Sequence, residues 1–506
     1  MNSVRNLAAV LILTAVVSGV ARAQQPADTP APTPSTPDQP VQPSSNTTKE
    51  VPPVPPVHSI WGIDSPVPIA DPNAYIPDSR PLSGASELTP GEPQSHVNIF
   101  DMSLNLAFAG GNGLPSSANQ SAFGTQSVVG GDLNYDHTWR QNSFAASYDG
   151  GGSFYDPSNK VYGNGMFHSL SLGEQIVGGR WKLRLIDDVL YGTNADVGGA
   201  GMAGPGLLGS FGGPFAGLAP DFGGAGETII TGQGRRLNDS SVADVEYDLT
   251  PRSAITVTGS YDGLHFLDAG FIDNRNYLGR VGYDLGVSAK STVAFYVQSG
   301  RSYYGLFSTG DTGPGGSGTP AVLSNMTDYG GGIAFSHRLT GRMVFQIAGG
   351  PDLEKLPPAL GSSSPNHWIW DVNTSVSYQF RRSSISLSYF HGPTQGSGVY
   401  SGSTSQVFNA NYSRRLTRFF SSNLYGGYTR NSALVSAVGF SNQFSNWYAG
   451  ANVSRQLGRW MNLFIFYGAQ QQTSSGECPV ASCALAGTRQ TFGVSLAWHP
   501  MPIVAE

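Results

Sequence analysis

The sequence predicts an all-β fold: one transmembrane antiparallel up-and-down β-barrel of about eighteen strands, with roughly sixteen to twenty as the bounds. Three observations predict it. Charged residues make up only 12% of the 506, aromatics 11%, and 66 are glycine, about half the charge of an ordinary soluble domain. The mean hydropathy of -0.17 is nevertheless far below that of a helical membrane protein, so the chain needs one apolar and one polar face rather than apolar segments. Finally, hydrophobic residues recur with period two, and the connections between the periodic runs alternate between short and long.

The N-terminus reads as an export signal. Arg5 supplies the basic start, Leu7 to Val17 form a short apolar run, and Ala21-Arg22-Ala23 is an A-x-A cleavage site. The expected mature chain begins at Gln24, with residues 1–23 as the signal peptide. The apolar run is well short of the roughly 20 residues of a spanning helix, and no other segment is long enough. A membrane location therefore requires closed β-structure, the only other way to satisfy every backbone polar group in lipid.

Residues 24–95 form a Pro-rich linker or periplasmic extension. Thr33-Pro34-Ser35-Thr36-Pro37 and Val51-Pro52-Pro53-Val54-Pro55-Pro56 are extended and have little to bury. Residues 59–95 keep the prolines but add Ile60, Trp61, Ile63 and Tyr75, for which the periplasmic mouth of a barrel is a candidate surface.

The barrel itself is expected over residues 96–506. Phe100, Met102, Leu104, Leu106 and Phe108 alternate with Asp101, Ser103, Asn105 and Ala107. Ala243, Val245, Tyr247 and Leu249 alternate with Asp244, Glu246 and Asp248, and Trp368 to Phe380 repeat the pattern around Asp371. A helix would scatter these residues around its surface, whereas a strand sorts them onto two faces. The first half of the pattern gives strands near 99–108, 126–138, 142–152, 164–176, 181–191, 236–249, 254–264, 276–287 and 291–304. The second half gives 327–339, 343–350, 367–381, 383–392, 404–416, 419–430, 442–457, 460–471 and 488–498. The Gly-rich stretch 192–233 is expected either as one long loop or as a loop hiding a further hairpin.

The connections supply polarity. Leu249-Thr250-Pro251-Arg252, Leu339-Thr340-Gly341-Arg342, Phe380-Arg381-Arg382, Leu416-Thr417-Arg418 and Leu457-Gly458-Arg459 are tight and Arg-bearing. The connections at 305–326, 351–366, 393–404, 431–442 and 472–487 are long and rich in Gly, Ser, Asn, Asp and Pro. Short periplasmic turns and long extracellular loops are the asymmetry of an outer-membrane barrel, and an even strand count leaves both chain ends on the periplasmic side. Aromatics at strand ends, such as Tyr303-Tyr304, Trp368, Trp370, Phe419-Phe420 and Trp460, suit the headgroup level.

The last periodic run, Thr491-Phe492-Gly493-Val494-Ser495-Leu496-Ala497-Trp498, places a polar residue, a glycine, an apolar residue and an aromatic at Thr491, Gly493, Leu496 and Trp498. It resembles the C-terminal signal that the barrel-assembly machinery recognises in Gram-negative outer-membrane proteins, although the chain continues from His499 to Glu506. The chain as a whole resembles porin-like outer-membrane proteins over its strand and loop plan. That resemblance implies location in the outer membrane of a Gram-negative bacterium, among its lipids and lipopolysaccharide.

If the apolar residues face lipid, their alternates line a lumen. The acidic set expected there is Asp101, Asp132, Asp136, Asp244, Glu246 and Asp262, with Asp284 and Asp371. The basic set is smaller: Lys182, Arg184, Arg280 and Arg338. Two readings stand: an acidic lumen that favours cations through its field, or acids and arginines that pair along the wall and cancel. Residues 192–233 either fold inward as a constriction or lie outside as a surface loop.

Other chemistry is weakly represented. The net charge of -6 opposes nucleic-acid binding. Cys478 and Cys483 suggest a small loop disulfide in an exported chain rather than a metal site, and neither a metal nor a cofactor is expected. Asp136-His137 and the group Asp262, His265 and Asp268 are the acid–imidazole neighbours nearest to an enzymatic arrangement. Ordinary solvent-facing residues explain both, and no enzyme is expected. The functional expectation is a porin-like channel for passive or substrate-selective diffusion of small hydrophilic solutes or ions. A surface barrel that anchors loops without transporting is the alternative, as is a polysaccharide export conduit whose arm, residues 24–95, reaches a periplasmic partner.

Overall fold

The computed structural model describes residues 99–112, 123–138, 142–155, 165–192, 235–267, 272–306, 324–356, 366–394, 402–434, 443–475, 487–500 and 503–504. The first nine strands are β1 Ile99–Asn112, β2 Phe123–Thr138, β3 Asn142–Tyr155, β4 Gly165–Gly178, β5 Trp181–Gly192, β6 Arg236–Thr250, β7 Ser253–Phe266, β8 Ile272–Ser288 and β9 Ser291–Leu306. The next nine are β10 Ser324–Thr340, β11 Met343–Lys355, β12 Asn366–Gln379, β13 Ser383–Thr394, β14 Ser403–Arg415, β15 Phe420–Ala433, β16 Gln443–Leu457, β17 Met461–Ser475 and β18 Gly487–Trp498. A two-residue β19, Ile503–Val504, follows.

Each long strand pairs antiparallel with the next in sequence, and β18 closes the ring onto β1. The closing register runs from Leu104↔Trp498 to Asn112↔Gln490. The short β19 extends the seam by pairing with Ile99 and Phe100, while the His499 N–H donates to the Trp460 carbonyl at 2.7 Å. Closure removes every open edge, as lipid requires.

Every expected strand corresponds to one of the eighteen. The expected end of β11 near residue 350 is corrected to Lys355: Pro351 reads as a strand breaker, yet it pairs with Trp370 and the ladder continues to Lys355↔Asn366. The hidden hairpin within 192–233 is also corrected. From Trp181↔Tyr247 to Gly192↔Arg236, β5 and β6 are direct neighbours, so no strand of the wall can lie between them. The expected constriction segment itself lies largely outside the described residues.

The protein is built inside out. Outward positions expose apolar side chains, for example Leu104 at 59% and Val297 at 63%, while their polar alternates Asn105 and Asp244 are 4% exposed. A continuous apolar outer wall of this extent is not tolerated in water; in a bilayer it is the wall's solvent. Aromatic pairs mark both borders of the apolar zone. Trp181 and Tyr247, with ring centroids 4.5 Å apart, lie towards the short turns, whereas Tyr428 and Trp447, 4.3 Å apart, lie towards the long connections. This is the construction of a β-barrel that spans a membrane. One expected girdle doublet divides: Tyr303 faces outward, but Tyr304 points inward and is 2% exposed, because neighbours in a strand cannot share a face.

The short-turn rim repeats one design. In Thr250-Pro251-Arg252 and Thr340-Gly341-Arg342 the threonine oxygen accepts the arginine N–H, at 3.2 and 3.1 Å. Ser288 does the same for Lys290 at 3.2 Å. Each of these turns follows a register shift in its hairpin, where a bulge adds twist at the strand end. The turns at Gly179 and Gly458 instead use φ of 62° and 73°, a conformation that suits glycine.

Candidate functional site: the inner wall

Parity assigns the inner wall. All twelve residues expected to line the lumen fall on inward positions, because each strand's outward row is fixed by its exposed apolar residues. They are Asp101 on β1, Asp132 and Asp136 on β2, Lys182 and Arg184 on β5, and Asp244 and Glu246 on β6. The remainder are Asp262 on β7, Arg280 and Asp284 on β8, Arg338 on β10 and Asp371 on β12.

The β5–β6 register brings the first group into contact. Lys182 lies opposite Glu246, and Arg184 opposite Asp244. Lys182 Nζ reaches Glu246 Oε1 at 2.7 Å and Asp248 Oδ2 at 3.4 Å, and an Arg184 nitrogen lies 3.8 Å from Glu246 Oε2. Charge is compensated locally there.

Elsewhere the wall holds acids with neutral donors. Ser103 and Asn134 donate to Asp132, Thr258 to Asp244, Ser240 to Asp262 at 2.6 Å and Thr256 to Asp284 at 3.1 Å. Arg280 donates from Nε and a terminal nitrogen to Gln298 Oε1, at 3.1 and 2.6 Å, and stacks on the Tyr296 ring at 4.4 Å. Gln298 in turn donates to Asp352 at 3.2 Å. Ion-paired acids and acids held by neutral donors therefore share the same wall.

Several inward acids were missed from sequence. Asp188 shares the parity of Lys182 and Arg184 and is 3% exposed, so the signal was present within the expected strand. Asp352 and Glu354 fall in the expected loop 351–366 because Pro351 reads as the end of β11. Asp328, opposite Glu354 in the β10–β11 register, stands second in the expected strand 327–339 but is the fifth residue of β10.

The wall is strongly asymmetric. Strands β13 to β18 contain no Asp or Glu. Their inward rows are mainly hydroxyls, amides and aromatics, such as Ser386, Asn411, Asn423 and Tyr448, with Arg415 and Arg489 on the inward rows at strand ends. Much of the β1 and β5–β9 wall is closely covered, while Ser377, Gln379, Ser386 and Asn411 are exposed inward positions towards the short turns of β12–β14.

The closing strand divides its marked residues by face. Thr491 and Gly493 point inward, and Leu496 and Trp498 outward. A Cβ at Gly493 would overlap the Phe466 ring and the Phe108 carbonyl, so glycine lets that ring cover the seam.

The acid–imidazole neighbours are separated. Asp136 and His137 occupy opposite faces of β2, and Asp262 points inward while His265 points outward. His265 Nδ1 instead contacts Asp273 Oδ2 at 2.6 Å. Asp268, like Cys478 and Cys483, lies outside the described residues. Among the described residues no group of three or more His, Cys, Asp or Glu could hold a metal ion.

No family model matches the sequence, and no curated protein matches it significantly. Solved structures match at low similarity. The FrpB iron transporter from Neisseria meningitidis aligns at a TM-score of 0.41 and 10% identity, over 79% of this chain and 68% of that one. OccK2 (OpdF) from Pseudomonas aeruginosa aligns at 0.39 and 8%, over 80% and 97%. A BenF-like porin from Pseudomonas fluorescens Pf-5 aligns at 0.38 and 7%, over 80% and 98%.

Proposed function

We propose that the barrel is a channel for passive or substrate-selective diffusion of small hydrophilic solutes, with a preference for cations. The carrying observation is the closed ring of eighteen strands whose inward face is largely polar, with apolar residues such as Ile186, Leu190 and Phe464 among the polar ones, and bears more carboxylates than bases. Such a wall presents oxygen acceptors to a hydrated cation, and a low-dielectric surround focuses the field of its acids along the axis. The acid-free β13–β18 arc supplies hydroxyl and amide partners for a neutral polar solute beside that field.

The same reading takes residues 1–23 as an export signal and residues 24–95 as a periplasmic extension able to meet a partner. It takes Cys478–Cys483 as a loop disulfide. Thr491, Gly493, Leu496 and Trp498 are its mark for the barrel-assembly machinery. The close covering of β1 and β5–β9 favours a second reading, a non-conducting barrel that anchors its loops. Planar-bilayer recording of the purified full chain in a tenfold salt gradient separates them. The channel reading expects discrete conductance with a reversal potential of cation sign; silence supports the anchor, and an anion-signed potential refutes the acidic lumen.

A further inference from the structure

We propose that the short-turn rim is an electrostatic collar for anionic phospholipid headgroups in the leaflet it faces. The observation is a regularity that pore function does not require: each described short turn carries a base, and none carries an acid. The first turns are Gly179-Arg180, Pro251-Arg252, Ala289-Lys290 and Gly341-Arg342. Arg381-Arg382, Thr417-Arg418-Phe419 and Gly458-Arg459-Trp460 complete the described circuit. The remaining short connection, outside the described residues, reads Trp139-Arg140-Gln141.

The backbone holds these residues in place. The carbonyl of Arg180 accepts an N–H from Asp248 at 2.8 Å, that of Arg252 from Gly286 at 2.7 Å, and that of Lys290 from Arg338 at 2.8 Å. Arg342 and Arg382 accept from Gln379 and Arg415 at 2.8 and 2.9 Å. Each of these bases is thus tied to the following hairpin, while its side chain is exposed. No carboxylate is ion-paired with any of these turn bases among the described residues.

The long connections at the opposite end have the reverse balance. Their acids include Asp156, Asp196, Asp221, Glu227, Asp268 and Asp311, against Lys160 and Arg235. A general demand for solubility would not sort charge by end.

The occupant follows from depth and chemistry. Trp181 and Phe380 stand beside Arg180 and Arg381 and are exposed on the outer side, the position at which rings mark the headgroup level. Arg418 stacks on Phe419 at 4.3 Å, holding a guanidinium at that border. Guanidinium binds phosphate through paired hydrogen bonds, and basic groups near a bilayer surface attract anionic lipid over a Debye length. A ring of such groups, facing all directions around the wall, fits a lipid annulus better than one protein docked at one side.

The test uses the full chain reconstituted in phosphatidylcholine vesicles, with spin-labelled phosphatidylglycerol or phosphatidylcholine as probe. The expected result is about a two- to fourfold preference of the motionally restricted shell for phosphatidylglycerol at low salt. It falls to about unity in 1 M NaCl, where the Debye length is about 3 Å. A variant with Arg180, Arg252, Arg342 and Arg459 each replaced by Gln retains part of the preference, and further replacement of Lys290, Arg381, Arg382 and Arg418 removes it. Replacing Lys160 and Arg235 by Gln leaves it intact. No preference in the wild type, an unchanged preference in the four-turn variant, or displacement by millimolar glycerol phosphate overturns the proposal.

Discussion

Leu424 and Asn423 on β15 offer a one-residue test of which face meets lipid. Leu424 is 51% exposed, points outward, and pairs with outward Tyr412 and Ala451 on the flanking strands. It lies four positions from Phe420 below and Tyr428 above, on the same outward row. Four residues of a strand tilted by about 40° rise roughly 10 Å along the normal. Leu424 is therefore near the middle of an apolar band about 25 Å tall. Leu424→Arg places a guanidinium at that depth, at a cost of about 2–4 kcal/mol, or about 30-fold to nearly 1000-fold in the folding equilibrium. Asn423→Arg, one residue earlier, projects into the hydroxyl and amide arc and should cost less than about 1 kcal/mol. Guanidinium unfolding in lipid vesicles, followed by tryptophan fluorescence and by the heat-dependent gel shift of the folded barrel, measures both. Equal losses, or a larger loss for Asn423→Arg, would refute the assignment of faces.

Two further outcomes follow from the same geometry. Gly493→Leu drives a side chain into the Phe466 ring and the Phe108 carbonyl at the closing seam, and should lower the yield of folded barrel severalfold in a gel-shift refolding assay, whereas outward Val494→Leu should not. Glu246→Gln removes a carboxylate that neutralises Lys182 and Arg184; the reversal potential should move towards anions, and a shift towards cations would contradict the paired arrangement.

Strand number, strand positions and the identity of the two faces were legible in the sequence because they depend on parity, which is local. Once Leu104 and Leu106 are assigned to lipid, Asp101 and Asn105 must face inward. Errors arose where local signals misled: Pro351 suggested an end to β11 and hid Asp352 and Glu354, and the proximity of Asp262 to His265 suggested a pair that strand parity separates.

By itself, then, the sequence determined an inside-out wall of eighteen strands, with bases in its short turns. Only the tertiary structure decided which distant segments are neighbours. That β18 meets β1, that β5 meets β6 across residues 193–235, and that Lys182 lies opposite Glu246 are facts of register. Period-two patterning fixes a face but leaves position along the strand open to any even shift. The hydrogen-bond ladder, the turn geometry and the requirement of closure remove that freedom.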